Sequence, residues 1–160
     1  MMTWLAPLGF WAALFLVLYI AVQDFLRLKV RNLAVLALIG CYALFATGLP
    51  TAVVIGDLAA GLLLFVLSFG FWMAGMMGGG DAKLALPLGF LVGWDGLAAY
   101  AVLLLVFSAV FLLALRLGNR WLGGRGLVGR RLSVILGSRK VPYAVPMGLS
   151  AWIVIALRGM

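Results

Sequence analysis

The sequence has no histidine and no glutamate, one cysteine (Cys41), and four acidic residues, Asp24, Asp57, Asp81 and Asp95, among 160 residues. Without histidine, Ser-His-Asp and Cys-His catalytic pairings cannot form, nor can histidine-based zinc sites. A single cysteine excludes a disulfide framework and a four-cysteine metal centre. For acid–base chemistry on side chains the four aspartates are therefore the leading candidates. Charge of either sign is scarce: 10% of residues are charged, against roughly 25% in an average soluble domain. Apolar residues fill the gap, at 67% of the chain with a mean hydropathy of +1.25. A soluble fold of this size cannot hide that much apolar surface. The expectation is an all-α integral membrane protein, one polytopic domain over residues 1–160.

The charges cut the chain into uncharged runs at residues 1–23, 32–56, 58–80, 84–94, 96–115 and 141–157. A membrane-crossing helix needs about 20 apolar residues. Five runs meet this; the run 84–94 is short. Orientation argues that it crosses all the same. Lys and Arg gather at Arg27–Arg31, at Lys83 and between Arg116 and Lys140, and basic segments stay in the cytoplasm. Six spans with both termini outside put eleven of the twelve basic residues in the cytoplasm, with Arg158 the exception. The cytoplasmic loops are then expected at about 24–32, 78–83 and 116–140. The first run lacks the basic start of a signal peptide and is read as a span. A fourth span this short, even counted from Asp81 to Gly96, places some of the segment 78–83 below the headgroups or thins the bilayer around it; non-helical backbone at that depth implies a water-filled pocket near Asp81. The 116–140 loop holds seven basic residues, six glycines and no acid. It suits topogenesis or contact with anionic lipid, whereas a nucleic-acid recognition fold cannot be built from it.

Acids at a membrane are costly and point to function. Asp57 and Asp95 fall at the outer starts of spans three and five, where a carboxylate caps free N–H groups. Asp24 and Asp81 fall at the cytoplasmic edge, from distant parts of the chain. Helix capping suits Asp81 but not Asp24, which stands at a helix C-terminus where the dipole disfavours it. Two carboxylates at one depth can form a dyad that shares a proton, one activating water while the other polarises a carbonyl. Gly78, Gly79 and Gly80 precede Asp81 and would let a substrate backbone approach it. Lys83 could hold the carboxylate ionised, bind substrate or snorkel to headgroups. Asn32 could cap the second span or touch substrate. Pro146 is expected to kink the last span, and Cys41 to be inert packing.

Gly-x-Gly-Asp-x-Lys from Gly78 to Lys83, Asp24 with Asn32 eight residues on, and the run Lys140, Val141, Pro142, Tyr143, Ala144 together resemble the type IV prepilin peptidases. Length and six-span layout are similar to the short form serving Flp-type pili in tight-adherence systems. The resemblance implies catalytic Asp24 and Asp81, with Gly78, Gly79, Gly80, Lys83 and Asn32 contacting substrate. It also implies an aspartic endopeptidase of the bacterial cytoplasmic membrane that cuts prepilin leaders after a glycine, with no cofactor or metal. Family members usually carry Pro before the Asn, where this chain has Arg31. The cysteine-rich segment of longer members is missing, so methyltransferase activity is not supported. Two other readings compete: a small proton- or cation-coupled carrier using the paired aspartates, and a non-catalytic assembly subunit. The carrier fits less well because the acids lie at the membrane edge, and the subunit gives no reason for Asp24.

Overall fold

A computed structural model of the chain describes residues 4–122 and 143–159. These form six α-helices and no strand: α1 (Leu5–Arg27), α2 (Asn32–Ala46), α3 (Thr51–Met73), α4 (Gly79–Val92), α5 (Leu97–Leu122) and α6 (Ala144–Arg158). Most of the basic 116–140 stretch, with Lys140 and Pro142 of the last motif, lies outside the described residues. α5 runs on to Leu122, into the stretch expected as loop.

Three helices, α1, α3 and α5, are long and apolar enough to cross a membrane. α2, α4 and α6 have 15, 14 and 15 residues, about 21–23 Å at 1.5 Å per residue. The apolar run 32–56 is therefore not one span. The charge-based boundary at Asp57 gives way to a break at Thr47–Pro50, where Gly48 lies in a turn and Pro50 starts α3 in extended conformation. Proline at a helix start costs no hydrogen bond, so helix breakers rather than charge set this boundary.

Helical periodicity explains the two faces of α1. Phe10, Ala13, Leu14, Val17, Ile20 and Ala21 are buried, and Asp24 continues the same stripe. Leu8, Trp11, Phe15, Tyr19, Val22 and Leu26 run along the opposite face and are exposed. A helix apolar on all sides needs a surround of protein and lipid. α4 is the centre of the bundle: of its 14 residues only Lys83 is exposed. It packs on α2, α3 and α6, and α1 packs on α2 and α6.

Apolar burial drives helices together weakly in lipid, so close backbone packing at small residues takes over. α3 and α4 cross at Gly61 and Gly89, where a Cβ on Gly89 would lie 2.9 Å from the Ala60 carbonyl oxygen. α1 and α6 meet at Gly148, against Ala21 and Val17. The connections sort to two ends. The 28–32 turn, the 75–80 turn and the start of α6 line one cavity; the starts of α3 and α5 and the ends of α4 and α6 line another.

At the second end, Asp57 is not the helix cap expected from its position. α3 begins at Thr51, which puts Asp57 inside the helix, fully buried. Its carboxylate accepts two hydrogen bonds from Arg158 Nη2, at 2.7 and 2.8 Å, and one from the Tyr42 hydroxyl at 3.0 Å. Arg158 Nη1 donates to the carbonyl oxygens of Leu91 at 3.0 Å and Phe90 at 3.3 Å. One guanidinium thus ties α3, α4 and α6 together, and the Tyr42 hydroxyl joins α2. Gly93 makes room: its φ is +74°, and a Cβ there would lie 2.7 Å from Asp57 Oδ1. Asp95 lies in the turn before α5 and is exposed.

Candidate active site

The other end holds Asp24 and Asp81. α1 ends in a tight turn: Leu28 is left-handed (φ 53°), and its N–H donates to the Asp24 carbonyl oxygen at 2.7 Å. A left-handed non-glycine residue costs about 1–2 kcal/mol. Packing of Leu28 with Phe25 and Phe111 around the buried Leu115 of α5 offsets it. The turn sends the chain back over the cavity toward Asn32.

α3 ends in a Schellman motif: the Met76 N–H reaches the Phe71 carbonyl oxygen at 2.9 Å, and Gly75 N–H that of Trp72 at 3.0 Å. Gly75 takes φ +73°, the left-handed conformation this motif requires. The chain then runs non-helically to Gly78, and α4 starts at Gly79. The expected non-helical stretch 78–83 is therefore mostly helix. Asp81 explains why. It stands three residues after the N-cap Gly78 and accepts a hydrogen bond from the Gly78 backbone N–H, the reaching-back half of a capping box.

The three glycines each face a different neighbour. A Cβ on Gly78 would lie 2.8 Å from Asp81 Oδ2, on Gly79 3.1 Å from Trp72 Nε1, and on Gly80 3.2 Å from Val30 Cβ. Asp24 and Asp81 are 4% and 7% exposed, so both carboxyls leave bulk water. They face each other closely enough to interact electrostatically, and the Ala144 backbone N–H is a hydrogen-bond partner of both. Oδ2 of Asp24 is buried with no hydrogen-bond partner among the described residues. Such an orphaned oxygen calls for a ligand or a chemical role.

A cavity of about 720 Å³ opens over the pair. Asp24, Asn32, Gly78, Gly79, Gly80, Asp81 and Lys83 all line it, so the structure brings together every site residue expected from the sequence. Two local readings change. Asn32 is the first residue of α2 rather than its cap; Arg31 holds the cap position without a side-chain hydrogen bond. Among the described residues Lys83 makes no ion pair with Asp81, since positions two apart on a helix point to different sides. Pro87 lacks an N–H, so the Lys83 carbonyl has no partner one turn on. Pro146 does not need to kink α6. It lies in the first turn, where the backbone N–H has no intrahelical acceptor to lose.

Sequence reasoning missed Leu28, Lys29, Val30, Gly75, Met76, Met77 and Tyr143 in the lining. Tyr143 belongs to a motif already noted, and the Gly75 turn could have been read from its glycine. Ala144 acts through its backbone, so residue type carried no signal for it.

The apolar helical bundle marks a membrane protein, and two buried carboxyls from separate helices meet at one of its cavities. Comparison with known families identifies it further. Residues 11–117 match the type IV leader peptidase family; the chain belongs to that family and is a membrane-bound peptidase of the leader-peptidase type. No curated protein and no solved structure matches it. The matched stretch carries both aspartates and the glycine run, while α6, whose Ala144 N–H serves both carboxyls, lies beyond it.

Proposed function

We propose that this protein is an aspartic endopeptidase that removes the leader of Flp-type prepilins at the cytoplasmic face of the bacterial inner membrane, cutting after a glycine. The observation that carries the reading is the pair of buried carboxyls, Asp24 and Asp81, facing one cavity with Asp24 Oδ2 unpartnered. In this mechanism the pair holds one proton. The ionised carboxylate takes a proton from water as the water oxygen attacks the scissile carbonyl, and the protonated carboxyl donates to the carbonyl oxygen. Collapse of the tetrahedral intermediate breaks the C–N bond and returns a proton to the leaving amine. Gly78, Gly79, Gly80, Asn32 and Lys83 border the space for the extended substrate chain. Nothing in the site supports an added methyltransferase activity.

The orientation in this reading has six crossings with both termini outside. α1 and α3 both end at the Asp24–Asp81 cavity, and Leu115 near the end of α5 packs beside Leu28 there. The shorter α2, α4 and α6 must then carry the chain back across, which requires a locally thinned bilayer. Arg158, the one basic residue on the outer side, is paired with Asp57. Membrane lipid and the prepilin are the partners.

The test is to incubate the purified protein with a Flp-type prepilin and follow the mass of the product. Wild type should release the leader, while Asp24→Asn and Asp81→Asn should insert normally and leave the prepilin intact. No cleavage by wild type, or cleavage at the normal rate by either variant, overturns the reading.

A further inference from the structure

α1 and α4 carry the two carboxyls yet have little contact along their lengths; each packs instead on α2 and α6. With no long α1–α4 seam, contacts at the helix ends bear directly on the separation of Asp24 from Asp81. Two contacts are available. One is the Ala144 N–H, a partner of both carboxyls. The other lies between the segments that flank the acids. After Leu28 the chain turns back so that Val30, six residues beyond Asp24, lies on Gly80, the neighbour of Asp81. Room is short at this contact: a Cβ on Gly80 would stand 3.2 Å from Val30 Cβ, closer than ordinary van der Waals contact, and 3.6 Å from both its Cγ2 and its backbone N. The Cβ and the backbone N of Val30 move only with its backbone, which follows the Leu28 turn, and its Cγ2 is restricted because a β-branched side chain is stiff at its first torsion.

We propose that Val30 seated on Gly80 is the spacer that sets the distance between the two carboxyls, making Val30 a positioning residue for catalysis. The proposal rests on the peptidase reading of the site. It assigns Gly80 a role other than clearing space for substrate: its missing side chain lets the Asp24-bearing turn close onto the start of α4. A methyl group at Gly80 then forces the two segments apart by a fraction of an ångström, and displacement of catalytic groups by about 1 Å can cost 100-fold in rate.

A reciprocal swap tests this. Gly80→Ala should lower kcat about 10- to 100-fold while KM stays within about threefold, because the cavity is unfilled but the carboxyls are misplaced. Val30→Gly removes the opposing Cβ. The double variant Gly80→Ala/Val30→Gly transfers the methyl group across the contact and should recover kcat to within about fivefold of wild type. A distance readout separates spacing from activity. In a Cys41→Ser background carrying Asp24→Cys and Asp81→Cys, the rate at which a mild oxidant cross-links the two thiols directly is measured in membranes, a reaction sensitive to small changes in geometry. Adding Gly80→Ala should slow this cross-linking, and adding Val30→Gly should restore it. A normal kcat in Gly80→Ala, a double variant no better than Gly80→Ala, or an unchanged cross-linking rate overturns the proposal. Failure of wild type to cut prepilin overturns the peptidase reading instead, and the cross-linking series still decides the spacing.

Discussion

Replacing Asp57 by Asn strikes the fold rather than the chemistry. The Asp57 side chain is 2% exposed and that of Arg158 is 20% exposed, with 2.7 Å between Asp57 Oδ1 and Arg158 Nη2. Asn keeps the shape and can still accept from Tyr42, but it leaves the guanidinium charge unpaired. Breaking a buried pair by removing one partner costs about 3–5 kcal/mol. Arg158 is a fifth exposed and can move part of its charge toward solvent, so the lower end, about 3 kcal/mol, applies. For a chain of this size each kcal/mol shifts Tm by roughly 2–4 °C, giving a drop of about 6–12 °C. The assay is thermal unfolding of purified protein in detergent, read as loss of monodisperse elution after heating. Cleavage per folded molecule at low temperature should stay near wild type, since Asp57 lies at the opposite end of the bundle from Asp24 and Asp81. Asp57→Asn/Arg158→Met removes both charges and should regain about half the lost Tm, as expected when an uncompensated charge is the main cost. A Tm within about 1 °C of wild type in Asp57→Asn, or a double variant less stable than both singles, refutes the reasoning.

Further outcomes follow from the same geometry. Gly89→Ala should destabilise by about 1–3 kcal/mol, because its Cβ would press on the α3 backbone at Gly61; Gly40→Ala and Gly70→Ala, with nothing within 4 Å of the added Cβ, should be neutral or stabilising by up to about 1 kcal/mol. Both are checked by the same unfolding assay. Leu28→Val should lower stability by about 1–2 kcal/mol, since a β-branched residue fits φ 53° poorly, and chemical denaturation would show it. Asp95→Asn should leave cleavage and Tm unchanged, Asp95 being exposed in the turn before α5. Prepilin processing should persist in chelators and in the Cys41→Ser variant, because a chain without histidine and with one cysteine has no set of soft ligands to hold a metal; a mass shift assay with and without chelator measures it.

Composition determined that this is a membrane protein, because apolar content beyond what a core can hide has only one solvent to suit it, and the lengths of the uncharged runs made its spans helical. The same scarcity made Asp24 and Asp81 legible: an acid at a helix C-terminus, or behind three glycines, stands out where ionisable residues are costly. Local chemistry along the chain carried that much. It did not carry the α2–α3 boundary, since charges were read as delimiters while Gly48 and Pro50 bend the backbone inside an uncharged run. Nor could it reveal that Asp57 meets Arg158 across 101 positions. Hydropathy gives the depth of a residue in the membrane but not its neighbours around the bundle, and pairing is a matter of neighbours. Only the tertiary structure brought the Ala144 N–H to both carboxyls and Val30 onto Gly80, because a backbone donor and a missing side chain act through where other helices place them, which residue type does not encode.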